Sequence, residues 1–257
     1  MASDPSNNVS TKQFSIRPAT YSELSTIANI LTKAFWNDEL FGNIIHPNRN
    51  VFPEDNDLYW LRRARVNWWD WSHVYLVSVI RDRDRAEGEA VIAGVAVWQR
   101  IGTLKKDMAL NIFDPRRLAK PLAKVATDLQ ARIWPNRAAD PGNEDIIERS
   151  YHYLDHMWTG KRADSWYLEC LGVHPNFQRQ GHGRALVRWG FQQAEMEGVS
   201  VSVISGDGKE EFYRRCGFET QDGWSGMGEG NPLRIAPGGL IYWKDVEYDA
   251  EGDIESK

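Results

Sequence analysis

Residues 176–187 read NFQRQGHGRALV and follow the apolar stretch WYLECLGVHP at residues 166–175. The chain changes there from a strand-like composition to a polar loop with two glycines, Gly181 and Gly183, and then to helical spacing. The first amides of a helix have no partner inside the helix, and the helix dipole is positive at that end. A glycine-containing loop that leads into such an end can wrap its amides around a phosphate. The stretch therefore predicts a strand–loop–helix unit with an anion site at the loop.

The residue types of this loop exclude two common nucleotide-binding motifs. The dinucleotide fingerprint requires a third glycine where Leu186 stands, and a P-loop requires a Gly-Lys-Ser/Thr sequence that this loop does not have. Arg179 and Arg184 add positive charge, and Gln178 adds hydrogen-bonding capacity. From these residues alone, the alternative is a glycine turn that joins a strand to a helix without binding a ligand.

Two longer segments carry a family resemblance. LGVHPNFQRQGHGRALVRW at residues 171–189 resembles the acetyl-CoA-binding segment of the GCN5-related N-acetyltransferase (GNAT) family, whose pattern is Gln/Arg-x-x-Gly-x-Gly/Ala. Gln178, Gly181 and Gly183 fill that pattern. EEFYRRCGFE at residues 210–219 is similar to the family segment that ends in Tyr-x-x-x-Gly-Phe, and FSIRPAT at residues 14–20 is similar to its first strand. With two motifs at the family spacing, the chain is identified as a member of this family.

The resemblance implies an α/β protein with a mixed α+β sheet, the GNAT acyl-CoA N-acyltransferase fold. A single GNAT domain is expected over residues 12–244, between a flexible N-terminus at 1–11 and an acidic tail at 245–257. Residues 103–163 depart from the family, which usually has a tight hairpin there. Helical spacing at 116–134 and 144–158 predicts a helical insertion between strands 3 and 4.

Hydrophobic spacing predicts the remaining elements. Strands are expected at 14–18, 73–80, 89–99, 166–173, 199–204 and 238–244, and helices at about 22–35, 58–71, 183–197 and 209–216. Residues 37–57 are expected to form a polar linker. In the helix at 58–71, one face is predicted to carry Leu58, Leu61, Arg65 and Trp68.

The resemblance assigns an acyl-CoA donor to the predicted strand and loop. In the family, a bulge in the fourth strand separates it from the fifth, and pantetheine lies in that gap. Backbone at 171–173 would then bind pantetheine, and residues 178–184 would hold the pyrophosphate. The implied CoA contacts are Leu171, Gly172, Val173, Gln178, Arg179, Gln180, Gly181, His182, Gly183 and Arg184. Gly206 is a departure, since many members have an asparagine there, near CoA.

Two residues are candidates for the catalytic steps. Tyr213 matches the family tyrosine that often protonates the departing thiolate, and its alternative is a packed aromatic on a short helix. Glu169 lies inside the apolar strand YLECLGV, where a carboxylate is unfavourable unless it is used or paired, and it is the candidate general base. The alternatives are a carboxylate satisfied by an arginine or a neighbouring strand, and a water relay. Strand alternation predicts that Tyr167, Glu169 and Leu171 share one face.

The first two helices and the turn between them usually line the acceptor side in this family. Here that region is rich in aromatic residues, although packing in the core is the alternative for each of them. The insertion is interpreted as a lid over the pocket or a dimer surface. The candidate substrate contacts are Trp36, Phe41, Trp68 and Tyr167.

Composition limits the partners. The chain has 257 residues, a formal net charge of −5 and no recurring basic stripe, so no nucleic-acid partner is expected. Cys170 and Cys216 show no metal-ligand spacing and indicate reduced thiols, which favours the cytoplasm. The polar N-terminus and the lack of a long apolar run predict no membrane partner. His152 and His156 are four residues apart, but without a third ligand in the sequence nearby no metal is expected.

The sequence therefore predicts an acetyl-CoA-dependent N-acetyltransferase that acts on the amine of a small molecule by direct transfer, as a monomer or homodimer. The alternative from another class is a GNAT-fold module that binds acyl-CoA without turnover. A protein or peptide acceptor is less favoured, because the insertion is expected to enclose the cleft. The identity of the amine does not follow from these residues.

Overall fold

The computed structural model describes residues 14–81, 90–103 and 114–246, and the expectations for residues 1–11 and for the tail beyond 246 lie outside this part. Seven strands and six α-helices occur within it. In chain order they are β1 Phe14–Pro18, α1 Leu24–Ala34, α2 Asn56–Asn67, β2 His73–Arg81, β3 Ala90–Ile101, α3 Ala119–Ile133, α4 Ile146–Leu154, β4 Ser165–Val173, α5 His182–Glu197, β5 Ser200–Ile204, α6 Glu210–Cys216, β6 Thr220–Trp224 and β7 Leu240–Lys244.

All seven strands belong to one mixed sheet, in the order β1-β2-β3-β4-β5-β7-β6. Neighbouring strands are antiparallel except β4 and β5, which are parallel. A parallel pair needs a crossover, and α5 supplies it by packing back on β4 and β3. The mixed α/β sheet expected from the sequence is thereby confirmed.

Each face of the sheet buries its own apolar cluster. On one face, α1 and α2 cover side chains of β2, β3 and β4, including Val77, Val95 and Cys170. On the other face, α5 covers Trp98, Leu168 and their neighbours, with Tyr213 of α6 in the same cluster. Burial of both faces explains why the central strands read as nearly continuous apolar runs. β4 is therefore enclosed from both sides and borders both clusters.

The structure adds detail to the expected local structure in three places. Residues 37–57 include a π-helical turn at Glu39–Ile45, which forms because the Asp38 side chain accepts from the amides of Leu40 and Phe41, and a 3-10 turn at Pro53–Asp55. α2 buries Tyr59, Trp60 and Ala64, and Leu61 and Trp68 of the predicted face are partly buried against the same cluster. β6 was not anticipated, since TQDGW has little β-propensity and is held by its pairing with β7.

The described part of the segment between β3 and β4 contains two α-helices, α3 and α4, joined by turns at 134–145. α4 buries Ile146, Ser150 and Leu154, whereas none of the 15 residues of α3 is buried. α3 packs on α2, and α4 packs on a 3-10 turn at Pro232–Ile235. Residues 104–113 of the predicted insertion lie outside the described part of the chain.

Candidate active site

The loop between β4 and α5 has the geometry of an anion cradle. After the 3-10 turn Pro175–Phe177, Arg179 has φ 61° and Gly181 has φ 90°, both in the left-handed region. Only glycine adopts the second value without strain, so Gly181 is required by the backbone. The first amide that bonds back within this helix start is that of Ala185, to the Gly181 carbonyl at 3.0 Å. The amides at 182–184 therefore precede the helical ladder and are available to a ligand.

Two glutamines of this loop brace it. Gln178 Nε2 donates to the Val173 carbonyl at 3.1 Å, and Gln180 Nε2 donates to the Asn176 carbonyl at 3.2 Å. Both side chains bond to the loop's own backbone, so the structure gives them a role in holding the turn. Arg179 and Arg184 are exposed at the same place and supply positive charge.

His182 belongs to the core through its side chain. Its Nδ1 lies 2.6 Å from Ser78 Oγ, and its ring packs 4.2 Å from the ring of Phe14. Burial lowers the pKa of His182, so the imidazole is neutral at pH 7. Because the side chain is engaged in the core, the expected contact of His182 with CoA can be made only through its backbone amide.

β4 separates from β5 halfway along its length. The two strands pair from Ser165 to Leu168 of β4, and no described strand pairs with that edge over residues 169–173. A bulge lies at the same place, because Val97 of β3 pairs with Cys170 and Trp98 pairs with Leu168, which leaves Glu169 as the extra residue. Backbone groups on the free edge of β4 can therefore receive an extended ligand as an additional strand would be received.

The bulge overturns the expectation that Tyr167, Glu169 and Leu171 share a face. Leu171 packs with the α5-side cluster, whereas Cys170 belongs to the cluster under α1 and α2. Glu169 contacts Arg63 of α2 and therefore points to the α1 and α2 side as well. Two successive residues point the same way because an extra residue interrupts the alternation of a strand.

Gly172 is required by packing at the free edge. A Cβ on this residue would lie 2.7 Å from Leu31 Cδ2 and 3.2 Å from Ala34 Cβ, both on α1. The absence of a side chain lets α1 approach β4 closely. The expected contact of Gly172 with CoA is therefore a contact through its backbone.

Tyr213 of α6 is buried, and its neighbours include Cys170 of β4 and Asp38 from the turn after α1. It is 8% exposed and packs edge-to-face against Phe212 and Phe218. Burial, followed by the neighbouring Cys170, Cys216 and Asp38, raises the pKa of Tyr213 well above its usual range. The phenol thus keeps its proton at neutral pH and can donate it.

The carboxylate of Asp38 lies next to Gly206, the position where a side chain is absent. A Cβ at Gly206 would lie 3.5 Å from Asp38 Oδ2. Burial raises the pKa of Asp38, although the amides of Phe41 and Leu40 oppose that effect. A polar group from the turn after α1 thus stands beside the end of β5, where the family places its asparagine.

Glu169 is held by two cations rather than lying unpaired. Its Oε1 accepts from Arg63 Nη2 at 3.2 Å, and its Oε2 lies 3.3 Å from His73 Nε2. The His73 contact is poorly directed, so Oε2 is buried without a true hydrogen bond among the described residues. Burial by itself would raise the pKa of Glu169, but His73 and Arg63 outweigh it and the pKa is lowered.

The ion pairs around Glu169 continue into both inserted helices. On one side, His73 Nδ1 lies 3.5 Å from Asp70 Oδ2, which also accepts from Lys120 of α3. On the other side, Arg63 donates to Glu148, the residue of α4 that faces α2. Burial would lower the pKa of His73, but Asp70 and Glu169 raise it to about 9, so the imidazole is charged at pH 7. Charges of opposite sign alternate through the whole chain of contacts.

The aromatic candidates divide into two groups. Tyr167 stacks edge-to-face on Trp158 next to Glu169, and Trp68 packs 5.7 Å from Tyr75 on the same side of β4. Phe41 packs on Phe35, Tyr59 and Trp60 as part of the core. Trp36 makes a cation–π contact with Arg49, whose guanidinium carbon lies 6.0 Å from the ring centroid. The aromatic surface near the carboxylate also includes Tyr59, whose buried hydroxyl has no partner among the described residues.

The alternative partners of Glu169 expected from the sequence were an arginine or a neighbouring strand, and the structure shows Arg63 and His73 of β2, but the sequence did not identify these two residues. Arg63 stands in RRAR, where nothing distinguishes it from Arg62 and Arg65, and His73 is a single histidine at the start of a strand. The only available signal was the buried carboxylate itself, which requires compensation. Within the described ranges, no group of three or more His, Cys, Asp or Glu side chains could hold a metal ion. In the same ranges, no helix has the length and apolarity to cross a bilayer.

Comparisons with known proteins find similarity to acetyltransferases in sequence and in fold. Residues 146–220 match the family model described as an acetyltransferase (GNAT) domain. A protein of Stachybotrys chartarum named acetyltransferase is 28% identical over 207 residues, which cover 80% of each chain. A structure from Corynebacterium glutamicum, described as histone acetyltransferase HPA2 and related acetyltransferase, is 19% identical and has the same fold. It covers 92% of this chain and 98% of its own, with a TM-score of 0.54.

Proposed function

We propose that this chain, which matches the acetyltransferase (GNAT) family model over residues 146–220, transfers an acetyl group from acetyl-CoA to the amine of a small molecule in one direct step. The observation that carries the proposal is the opening of β4 from β5 at the Glu169 bulge. The free strand edge, the left-handed loop and a buried tyrosine meet around that opening. The first two suit an extended donor that ends in a pyrophosphate, and the third suits a departing thiolate.

Bound acetyl-CoA would supply the acyl group, and the residues present fit it. Backbone of Leu171, Gly172 and Val173 offers the free edge of β4 to pantetheine. The amides at 182–184, together with the exposed guanidinium groups of Arg179 and Arg184, suit the pyrophosphate. Gln178 and Gln180 contribute by fixing the loop.

Glu169 and Tyr213 divide the proton transfers. The attacking amine must lose a proton as its nitrogen bonds to the acyl carbon, and Glu169 Oε2 is ionised, buried and free of a directed hydrogen bond. As the carbon–sulfur bond breaks, Tyr213 donates its proton to the sulfur. At pH 7 the Glu169 carboxyl, whose pKa is lowered, is ionised, and the Tyr213 phenol, whose pKa is raised, is protonated.

The surroundings of Glu169 favour a small acceptor. Its side chain is 14% exposed. Glu148 of α4 bonds to its partner Arg63, and Lys120 of α3 bonds to Asp70, which pairs with its other partner, His73. A folded protein surface cannot reach a carboxylate covered in this way without displacing those helices. Tyr167, Tyr75 and the free hydroxyl of Tyr59 suit an amine with an apolar or aromatic body.

The test of this proposal is a thiol-release assay with acetyl-CoA and a panel of aromatic amines, polyamines, amino acids and lysine peptides. Release with a small amine, and faster release than with any peptide, is the expected result. Calorimetric binding of CoA with no release on any amine would instead identify a binding module. Preference for the peptides would overturn the small-molecule acceptor.

Tyr213→Phe tests the acid role within that assay. We expect kcat to fall about tenfold or more while the Kd for CoA is unchanged, because only a proton donor is lost. Tyr242→Phe is the matched control, since Tyr242 is also a buried tyrosine and its hydroxyl is engaged by Arg214 Nη2, which donates to it at 3.1 Å. Wild-type turnover in Tyr213→Phe would remove the role.

A further inference from the structure

α3 presents its apolar face to solvent. Five large apolar residues at helical spacing are between 53% and 66% exposed: Leu118, Leu122, Val125, Leu129 and Ile133. Trp134, which follows the helix, is 63% exposed. The spacing predicted this helix correctly, but an amphipathic helix of a globular protein normally turns such a stripe to the core. No residue in the described part of the chain covers it.

The opposite face of α3 is attached to the protein by small and polar side chains. Lys120 bonds to Asp70, Gln130 Oε1 accepts from Arg65 at 3.3 Å, and Arg62 donates to the Trp134 carbonyl. Ala123 and Thr127 lie between these contacts and line a cavity of about 540 Å³ against α1 and α2. The orientation of α3 is therefore set by specific polar bonds, and these bonds direct the large apolar residues outward.

The exposed stripe has the form of a flat docking surface. Its five residues follow one line along 15 helical residues, which is about 22 Å at a rise of about 1.5 Å per residue. Exposed apolar surfaces of this extent mark a site of association. A line of side chains on a single convex helix fits a plane better than it fits a narrow pocket.

The charge of this segment identifies the kind of surface. Residues 115–134 contain five basic residues and one acidic residue, although the whole chain has a net charge of −5. Lys124 and Arg132 are exposed beside the stripe, and Lys124 pairs with the single acid, Asp128. Two copies of this helix facing each other would bring like charges together. An apolar line flanked by basic residues and followed by tryptophan instead complements anionic headgroups over acyl chains.

We propose that α3 docks the protein on an anionic lipid surface, with the stripe in the headgroup boundary and the helix parallel to the membrane plane. This attachment is peripheral, since no described helix can cross a bilayer. It revises the expectation of no membrane partner, and it is independent of the acetyl-transfer proposal.

The experiment is sedimentation of the full chain with vesicles of phosphatidylcholine alone or of phosphatidylcholine mixed with phosphatidylserine. We expect binding to the mixed vesicles that added salt releases, and little binding to phosphatidylcholine alone. Leu122→Ser and Leu129→Ser should each weaken binding about tenfold. Both positions are exposed, so the variants should keep the wild-type circular dichroism spectrum and Tm.

Two further variants complete the test. Met196→Ser is the matched control, because Met196 is 70% exposed on α5 and its replacement should leave binding unchanged. Arg132→Gln should weaken binding about fivefold through charge alone. The proposal is overturned by absence of binding, by binding that survives both leucine substitutions, or by equal binding to both vesicles. A concentration-dependent dimer in light scattering that Leu129→Ser abolishes, without vesicle binding, would make the stripe a subunit interface instead.

Discussion

The proposed donor and acceptor sides of the β4 opening differ in the groups that form them. The donor side consists of backbone from one continuous segment, residues 171–184, whose shape depends on a bulge, a left-handed glycine and a helix start. The acceptor side consists of charged side chains from five separate parts of the chain. Its members are Arg63, Asp70, His73, Lys120, Glu148 and Glu169.

The two constructions respond differently to substitution. A backbone site changes only where a residue alters the conformation of the chain, so most side chains of the loop are replaceable. An ion-pair chain is sensitive at its most buried members, here Arg63, His73 and Glu169, because removal of one charge there leaves its neighbour uncompensated. Donor binding and acceptor chemistry should therefore separate cleanly in measurements, and three substitutions test whether they do.

The largest effect is expected from Glu169→Gln. If Glu169 is the base, kcat at neutral pH falls about 100-fold, because a glutamine cannot accept the amine proton. The residual rate then rises with the free-amine fraction, about tenfold for each pH unit below the amine pKa. The affinity for CoA, measured by calorimetry, stays at the wild-type value. A pH–rate profile unchanged by the substitution would discard the base role.

Glu148→Gln is the control for that variant. Glu148 is the outer partner of Arg63, and its side chain is about half exposed. Its loss should change kcat less than about twofold, since exposed ion pairs contribute little. An equal loss of activity in both variants would mean that the charge chain acts only as a unit.

The second effect concerns stability and comes from His73. Because its pKa is about 9 in the folded protein against an ordinary 6.5, the bound proton stabilises the fold fully below pH 6.5. That contribution, about 3 kcal/mol, is lost as pH rises from 6.5 through about 9. Denaturant unfolding should show the free energy of unfolding falling over this window in the wild type and staying level in His73→Gln.

His174→Gln provides the comparison for this measurement. Burial lowers the pKa of His174, so this residue is neutral above pH 6.5 in both the folded and the unfolded chain. The wild-type slope between pH 6.5 and 9 should therefore persist in the variant. Loss of the slope in His174→Gln, or its persistence in His73→Gln, would contradict the assigned ion pairs.

The difference between the two sides also explains what the sequence could predict. The donor loop depends on residues adjacent in the chain, so Gln178, Gly181 and Gly183 reveal it directly. Arg63 and Glu169 are 106 residues apart, and no local pattern joins them. The predicted side-chain direction of Leu171 was wrong because a bulge depends on how β4 pairs with β3, and the sequence of β4 alone does not show that register. Helical spacing predicted α3 correctly. It did not predict whether the apolar stripe of α3 is buried or exposed, since burial depends on tertiary contacts.

The smallest effect tests the donor side alone. Gly181→Ala forces an L-residue to φ 90°, which costs roughly 1–2 kcal/mol and should turn the amides of the α5 start away from the pyrophosphate. We expect the Kd for CoA to rise about tenfold. Gly198→Ala introduces similar strain, at φ 64°, at the other end of the same helix, where an added Cβ meets no atom within 4 Å. The two variants share a left-handed backbone position but lie at opposite ends of α5. Weaker CoA binding in Gly181→Ala alone would show that the backbone of the loop binds the donor. Equal CoA affinity in both variants would show that the start of α5 does not contribute to donor binding.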